Sequence, residues 1–270
     1  MNWEQSARVT LPGLLKMRVA GERIAMLTAY DASFAALLER AGVDAMLVGD
    51  SLGMVVKGGR DTLAVSLEEA CYHTRCVAAG AGRALVIADL PFGSYQAGPE
   101  QAMGAAARLM ASGAQMVKLE GGEAMAATVR FLTERGVPVC AHTGLMPQAV
   151  YQTGGYRVRG KSEGEAEAIR RSALVFEAAG AALVFLECVP RGLGNLVTES
   201  LTRARTVGIG AGPDCDGQIL VCYDALGITP GQLPRFVRNF MDGMGVLEDA
   251  VRRYVSAVKS GEFPAAEHSY

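Results

Sequence analysis

The chain has 270 residues, half of them apolar and 20% charged, with a formal net charge of −2. That composition excludes a disordered chain, and acids and bases are too well mixed to leave a basic face for nucleic acid. No apolar run reaches the length of a membrane span, and residues 1–21 lack the apolar core and cleavage pattern of a signal peptide.

In chain order, residues 9–20 predict a short amphipathic helix with Pro12 near its start, and Ile24–Thr28 the first core strand. Residues 31–41 predict a helix with Phe34, Leu37, Leu38 and Ala41 on one face. Gly42 ends it, and the run 45–48 follows, too apolar to face water on either side, then stops at Gly49, Asp50 and Ser51. The glycine-broken stretch 52–66 predicts a mobile loop, a possible lid, after that strand. A helix over 67–79 precedes a strand ending at Asp89, and Pro99 opens the helix before a strand ending at Glu120. A helix through Arg135 and a strand over 137–141 lead to His142, Thr143 and Gly144, and a second glycine-rich loop spans 154–164. Then come a helix over 165–179, a strand ending at Glu187, a helix over 193–201, and strands at 206–209 and 219–222. The tail from Leu233 predicts two more helices, the second over about 245–259. Its apolar residues Phe236, Phe240, Val246, Leu247, Val251, Tyr254, Val255 and Val258 suggest a surface that covers a neighbouring subunit.

Eight strand-like runs alternating with helices are the signature of a (β/α)8 TIM barrel, here one domain over 1–270 with an N-terminal helix and extra C-terminal helices. A chain of this length can bury roughly three-quarters of its unfolded surface. A doubly wound open sheet is the alternative, disfavoured because polar residues follow nearly every strand. Cys71, Cys76, Cys140, Cys188, Cys215 and Cys222 form no CxxC pair, so buried thiols in a reducing cytoplasm are expected rather than disulfides or zinc ligands.

One pattern recurs four times: a glycine, an apolar run, an acid. Gly82, Gly113 and Gly180 precede Asp89, Glu120 and Glu187 by seven positions, and Gly42 precedes Asp50 by eight. Acids at the same end of successive core strands are costly for stability alone. Adjacent strands lie about 4.8 Å apart, so Asp50, Asp89 and Glu120 on strands two to four can meet around one point. Anions that close repel unless a cation sits among them, and a hard divalent ion such as Mg2+ answers that need; helix or loop capping is the plainer role for each acid alone. Lys118 shares a strand face with Glu120 and suits either a structural ion pair or a substrate oxygen. Glu187 follows an apolar run across the barrel, where burial would raise its pKa to that of a base working near neutrality; a salt bridge to Arg191 is the alternative. His142 is read as a supporting residue beside the site, and residues 208–212 as a close-approach wall of the pocket.

These residues resemble the ketopantoate hydroxymethyltransferase family. The motifs are Met26-Leu27-Thr28-Ala29-Tyr30-Asp31, Val48-Gly49-Asp50-Ser51-Leu52-Gly53-Met54, Ala88-Asp89-Leu90-Pro91-Phe92, Met116-Val117-Lys118-Leu119-Glu120-Gly121-Gly122 and Leu186-Glu187-Cys188-Val189-Pro190, with Gly208 to Gly212 and Glu267-His268-Ser269 beyond them. The resemblance covers nearly the whole chain. It implies a cytoplasmic, Mg2+-dependent barrel enzyme that moves a one-carbon unit from 5,10-methylenetetrahydrofolate to 3-methyl-2-oxobutanoate, giving 2-dehydropantoate for pantothenate biosynthesis. By the family pattern Asp50, Asp89 and Glu120 match the metal positions, one ion per subunit. Asp50, Ser51, Asp89 and Lys118 match the oxo-acid contacts, and Glu187 matches the proton acceptor. The resemblance further implies a homodecamer that uses the C-terminal helices.

Overall fold

The computed structural model describes residues 8–270. The segment 1–7, on which part of the signal-peptide reading falls, lies outside the described residues. Eight parallel strands close into one barrel in sequence order: β1 (Ile24–Thr28), β2 (Ala45–Val48), β3 (Leu85–Asp89), β4 (Met116–Glu120), β5 (Val139–Gly144), β6 (Leu183–Glu187), β7 (Arg205–Ile209) and β8 (Gly217–Leu220). The expected TIM barrel is the fold, and the open sheet is excluded by the pairing of β8 with β1.

Three of the four recurring glycines are helix stops, whereas the helix before Gly82 ends at Gly80 in an extended cap at Ala81. Gly42, Gly113 and Gly180 have φ of 93°, 112° and 97°, in the left-handed region where a Cβ is strained. Each follows a helix (Ala32–Arg40, Pro99–Ala111 and Glu163–Ala178). The next residue's N–H reaches back into that helix: Val43 to the Leu38 carbonyl at 3.2 Å, Ala114 to Leu109 at 3.2 Å and Ala181 to Phe176 at 3.0 Å. That geometry satisfies the orphan carbonyls and turns the chain straight into the next strand. The interval from glycine to acid is therefore the length of one strand.

Inside the barrel, alternate strand residues point inward. Ile24, Met26, Ala45, Leu47, Leu85, Ile87, Met116, Cys140, Leu183, Phe185, Val207 and Ile219 form one apolar cluster there, joined by Leu14 from the helix Leu11–Met17 that packs with it. Thr10 caps this helix by accepting from the Gly13 N–H, and Pro12 occupies its first turn, so it is shorter than the expected 9–20. The same inward alternation places Asp89, Lys118, Glu120, His142 and Glu187 in the next layer up. Register sets Asp89 beside Lys118 and Glu120 beside His142.

Several expected boundaries move. β5 extends through Gly144, so His142 and Thr143 lie within the strand rather than after it. The stretch 52–66 contains one helical turn, Leu52–Val55, where no regular element was expected. Only one of the two expected tail α-helices is present among the described residues, Leu247–Ser260. The segment 233–240 is irregular: Pro234 and flanking glycines break its apolar spacing, and Phe240 instead enters an edge-to-face ring cluster with Tyr254 and Phe263. Most of the apolar surface expected to cover a neighbour is used within the chain, since Phe236, Phe240, Val251, Tyr254 and Val258 are buried and only Val246 and Leu247 are exposed large apolar groups. Tyr254 donates its hydroxyl to the Met26 carbonyl at 2.7 Å and lies 3.0 Å from that of Gln218, pinning the seam between β1 and β8.

Candidate active site

β2 ends in a tight turn at Gly49: a Cβ there would lie 2.8 Å from Ser51 Oγ and 3.5 Å from Asp89 Oδ2, so a side chain would turn the Ser51 hydroxyl away. The close approach lets the Asp50 N–H donate to Asp89 Oδ2 at 3.0 Å, coupling the ends of β2 and β3. Beyond it Ser51 Oγ sits 2.8 Å from the buried Tyr30 hydroxyl. Lys118 Nζ then reaches Asp89 Oδ1 at 2.5 Å and Glu120 Oε1 at 3.5 Å, so one ammonium ties β3 to β4. Of the two roles open for Lys118 in the sequence, the ion pair is present, and the side chain also lines the cavity.

Two residues outside the expected set complete the cluster. Gln148 donates from Nε2 to Asp50 Oδ2 at 2.8 Å and to the Leu90 carbonyl at 3.0 Å, while its backbone N–H donates to Glu120 Oε2 at 3.0 Å. Tyr95 donates its hydroxyl to Gln148 Oε1 at 2.7 Å and accepts from the Glu120 N–H at 3.1 Å. A neutral amide thus braces two carboxylates whose mutual repulsion would otherwise drive them apart.

Glu187 lies in the same cavity, separated from Glu120 by one ring. His142 Nδ1 is 3.3 Å from Glu120 Oε1 and its Nε2 is 3.5 Å from Glu187 Oε2. The base is thus across from β2 but only two strands from β4, with His142 of β5 between them, closer to the acid cluster than an opposite wall implies. Arg191, the alternative partner, instead pairs with Asp214 at 2.9 Å. Cys188, directly after Glu187, is the one non-glycine residue with positive φ among the described residues, at 47°. Its backbone is clamped from both sides, its N–H donating to the Ile209 carbonyl at 2.8 Å and its carbonyl accepting from the Arg159 N–H at 2.9 Å. Strain of this kind persists only where the surroundings over-determine it, and it collects at functional sites.

Burial dominates the electrostatics. It pushes the Glu187 carboxyl up to about 7, only partly countered by His142. It also raises Asp50 well above the usual carboxylate range, aided by the charges of Asp89 and Glu120. Burial alone would depress the Lys118 ammonium, but Asp89, Glu120 and Asp50 together hold it well above the ordinary lysine value. In Glu120, burial is outweighed by Lys118 and His142, which hold its carboxyl below the usual value.

The cluster is short of positive charge. Three buried carboxylates face one ammonium, and Glu120 Oε1 is buried with no hydrogen-bond partner. Hard carboxylate oxygens suit Mg2+ or Mn2+. Among the described residues no three His, Cys, Asp or Glu side chains close around an ion by themselves. Asp50 and Glu120 instead meet through Gln148, and Asp89 and Glu120 through Lys118.

The cavity above these groups has a volume of about 490 Å3 and takes in Thr28, Ser51, Phe185, Ile209, Asp224, Phe236 and Tyr270 besides the charged cluster. The stretch 208–212 contributes Ile209 to its wall, as expected. The two glycine-rich loops meet at the mouth, Tyr156 lying 3.7 Å from Met54 Sδ with both lining the cavity, and outside it Tyr151, in the helical turn Val150–Thr153, donates to Asp61 Oδ2 at 2.8 Å. All six cysteines are free, and five are buried. No helix among the described residues is long and apolar enough to cross a membrane.

Among solved structures, the barrel is similar to phosphonopyruvate hydrolase in complex with oxalate and Mg2+ (TM-score 0.59, 15% identity, 78% of this chain and 80% of that one). It is likewise similar to 2,3-dimethylmalate lyase, a member of the PEP mutase/isocitrate lyase superfamily (TM-score 0.57, 19% identity, 80% and 82%). At these identities the likeness is one of fold. Sequence similarity is far stronger to proteins named 3-methyl-2-oxobutanoate hydroxymethyltransferase. The one from Azoarcus sp. (strain BH72) is 62% identical over 262 residues, 97% of each chain, and the one from Aromatoleum aromaticum is 60% identical over the same share. The family model described as ketopantoate hydroxymethyltransferase matches residues 8–266. The chain therefore belongs to the ketopantoate hydroxymethyltransferase family and is an enzyme of the transferase class.

Proposed function

We propose that this enzyme transfers a hydroxymethyl group from 5,10-methylenetetrahydrofolate to 3-methyl-2-oxobutanoate, giving 2-dehydropantoate, a step of pantothenate and hence coenzyme A precursor biosynthesis. The observation that carries the chemistry is one cavity holding a carboxyl raised to about 7 beside a carboxylate cluster with a single lysine. Asp50, Asp89 and Glu120 would hold one Mg2+ per subunit. Bound there, the ion would supply Lewis acidity to the carboxylate and keto oxygens of the oxo acid.

The protein's own groups do the rest. Ser51 and Lys118 line the same part of the cavity as Asp50 and Asp89, and these four contact the oxo acid. Glu187 takes the C3 proton: the C–H electron pair moves into a C2–C3 double bond and negative charge develops on the keto oxygen. A placed base of this kind contributes about a hundred- to ten-thousandfold. Lys118 sets positive charge near that oxygen. His142, within reach of Glu187 Oε2, orients the base. Water adds to the methylene carbon of the folate as its two C–N bonds break, so that tetrahydrofolate leaves with both nitrogens protonated and the carbon becomes a carbonyl carbon. C3 attacks that carbon, forming the new C–C bond, and the C=O electron pair goes to the oxygen, which takes the proton from Glu187 to give the hydroxymethyl group. Loops that touch at the mouth keep bulk water from the reactive carbon. A homodecameric assembly comes with the family resemblance, and free, mostly buried thiols support a cytoplasmic setting.

The test is product formation followed by NMR with Mg2+, 3-methyl-2-oxobutanoate and 5,10-methylenetetrahydrofolate. Expected is the hydroxymethyl product only when the folate is present. Equal product from formaldehyde alone would remove the folate from the reading, and no product under either condition would overturn it.

A further inference from the structure

The proposed chemistry uses only one side of the cavity. Asp50, Asp89, Lys118, Glu120 and Glu187 belong to β2, β3, β4 and β6, yet the cavity continues over β7, β8 and β1. At about 490 Å3 it has room for roughly 16 waters at ~30 Å3 each, several times what a five-carbon oxo acid displaces. The unused part is not plain apolar wall. Asp224, in the short helix Cys222–Ala225 after β8, lines it and is 9% exposed.

Asp224 is built to present its charge inward. Thr229 Oγ1 donates to Asp224 Oδ1 at 2.6 Å, which fixes the carboxylate plane. Among the described residues no side chain or backbone N–H donates to Oδ2, and Asp224 lines the cavity. Burial raises its carboxyl and the Thr229 hydrogen bond lowers it, with no arginine or lysine among the described residues contributing. An oxygen that no protein group donates to is met by water when the cavity is empty, and that water can be exchanged for an N–H of a ligand. The Phe236 and Tyr270 rings pack over the end of β7, where a Cβ at Gly210 would come within 2.9 Å of one and 3.2 Å of the other. Both rings line the cavity.

A flat heteroaromatic with two parallel N–H donors on one edge satisfies both features, its edge on the carboxylate and a face on the rings. The 2-amino-4-oxopteridine of a reduced folate has that edge, in its ring N–H and exocyclic amine. Resting on the folate reading above, we infer that Asp224 binds the donor edge of the pterin ring of the one-carbon donor. Thr229 holds the carboxylate in position, and Phe236 and Tyr270 form the wall beside the ring.

The experiment pairs two measurements on the full chain: tetrahydrofolate affinity by calorimetry, and Mg2+-dependent deuteration of 3-methyl-2-oxobutanoate at C3 in D2O without folate. In Asp224→Asn, whose amide turns its own N–H groups toward the pterin donors, tetrahydrofolate should bind about ten- to a hundredfold more weakly. The exchange should persist, because its groups lie on the other strands. Thr229→Val should weaken folate binding by about two- to tenfold. Unchanged affinity in Asp224→Asn overturns the inference. So does loss of exchange together with affinity, which would make Asp224 a support of the whole site. A wild-type protein that exchanges C3 yet does not bind tetrahydrofolate overturns this inference and the folate reading together.

Discussion

Below the level of Ile87 and Met116 the barrel interior is a closed apolar floor, with the helix Leu11–Met17 packed into it. One strand step higher, the same inward-pointing positions carry Asp89, Lys118, Glu120, His142 and Glu187. Both layers are buried, but for opposite reasons. The floor gains stability from every side chain taken out of water. The upper layer loses it, because buried carboxylates give up hydration that one ammonium and a few amides only partly replace. The barrel concentrates its cost at one rim and offsets it below, which is how a rigid scaffold keeps an unsatisfied charge cluster in place.

If that division is right, substitutions in the two layers should separate activity from stability. Glu187→Gln removes a carboxyl that burial already disfavours, so turnover should fall by about a hundred- to ten-thousandfold while the melting temperature holds or rises. A large loss of stability would mean that Glu187 is structural. Lys118→Met takes the single cation from among three carboxylates; breaking a buried pair from one side should destabilise the metal-free protein by about 3–5 kcal/mol in denaturant titrations. In the floor, Leu183→Ala should cost about 2–5 kcal/mol but leave turnover per folded molecule nearly intact. A turnover loss as large as that of Glu187→Gln would break the comparison.

pH should sharpen it. Glu187 works as a base only when ionised, so C3 exchange should climb as pH rises through about 7. Its stability effect has the opposite sign. Burial raises the folded-state pKa from 4.5 to about 7, so between those values the unfolded chain has released a proton that the native state still holds. Stability from this group therefore falls as pH rises across that window, and levels off above it. Wild type compared with Glu187→Gln in thermal melts from pH 4 to pH 8 isolates the term.

The rim was readable because its residues are strand residues. A glycine stop, an apolar run and an acid give both the barrel and the layer, since a strand fixes which side chains point inward. Asp89, Glu120 and Glu187 close their strands as that pattern implies. Gln148 and Tyr95 were not readable. They sit in irregular segments after β5 and β3, where no periodicity says which way a side chain turns, and Gln148 meets Asp50 across 98 residues. Asp224 escaped for a similar reason: a single acid beyond β8 has no counterpart on neighbouring strands. The first of the two helices expected in the tail from Leu233 does not form: Phe236 and Phe240, four apart, mimic a helical face, whereas tertiary packing takes one ring into the cavity wall and the other into an aromatic cluster.

The central claim is that the rim carboxylates and Glu187 act as one unit on the oxo acid with a divalent ion among them. It is tested most directly by following 3-methyl-2-oxobutanoate in D2O by NMR with the wild-type protein, first stripped with chelator and then titrated with Mg2+. Deuterium should enter only at C3, at a rate that rises from background to a plateau with added ion. Exchange at full rate in the stripped protein, or none at any Mg2+ concentration, would contradict it.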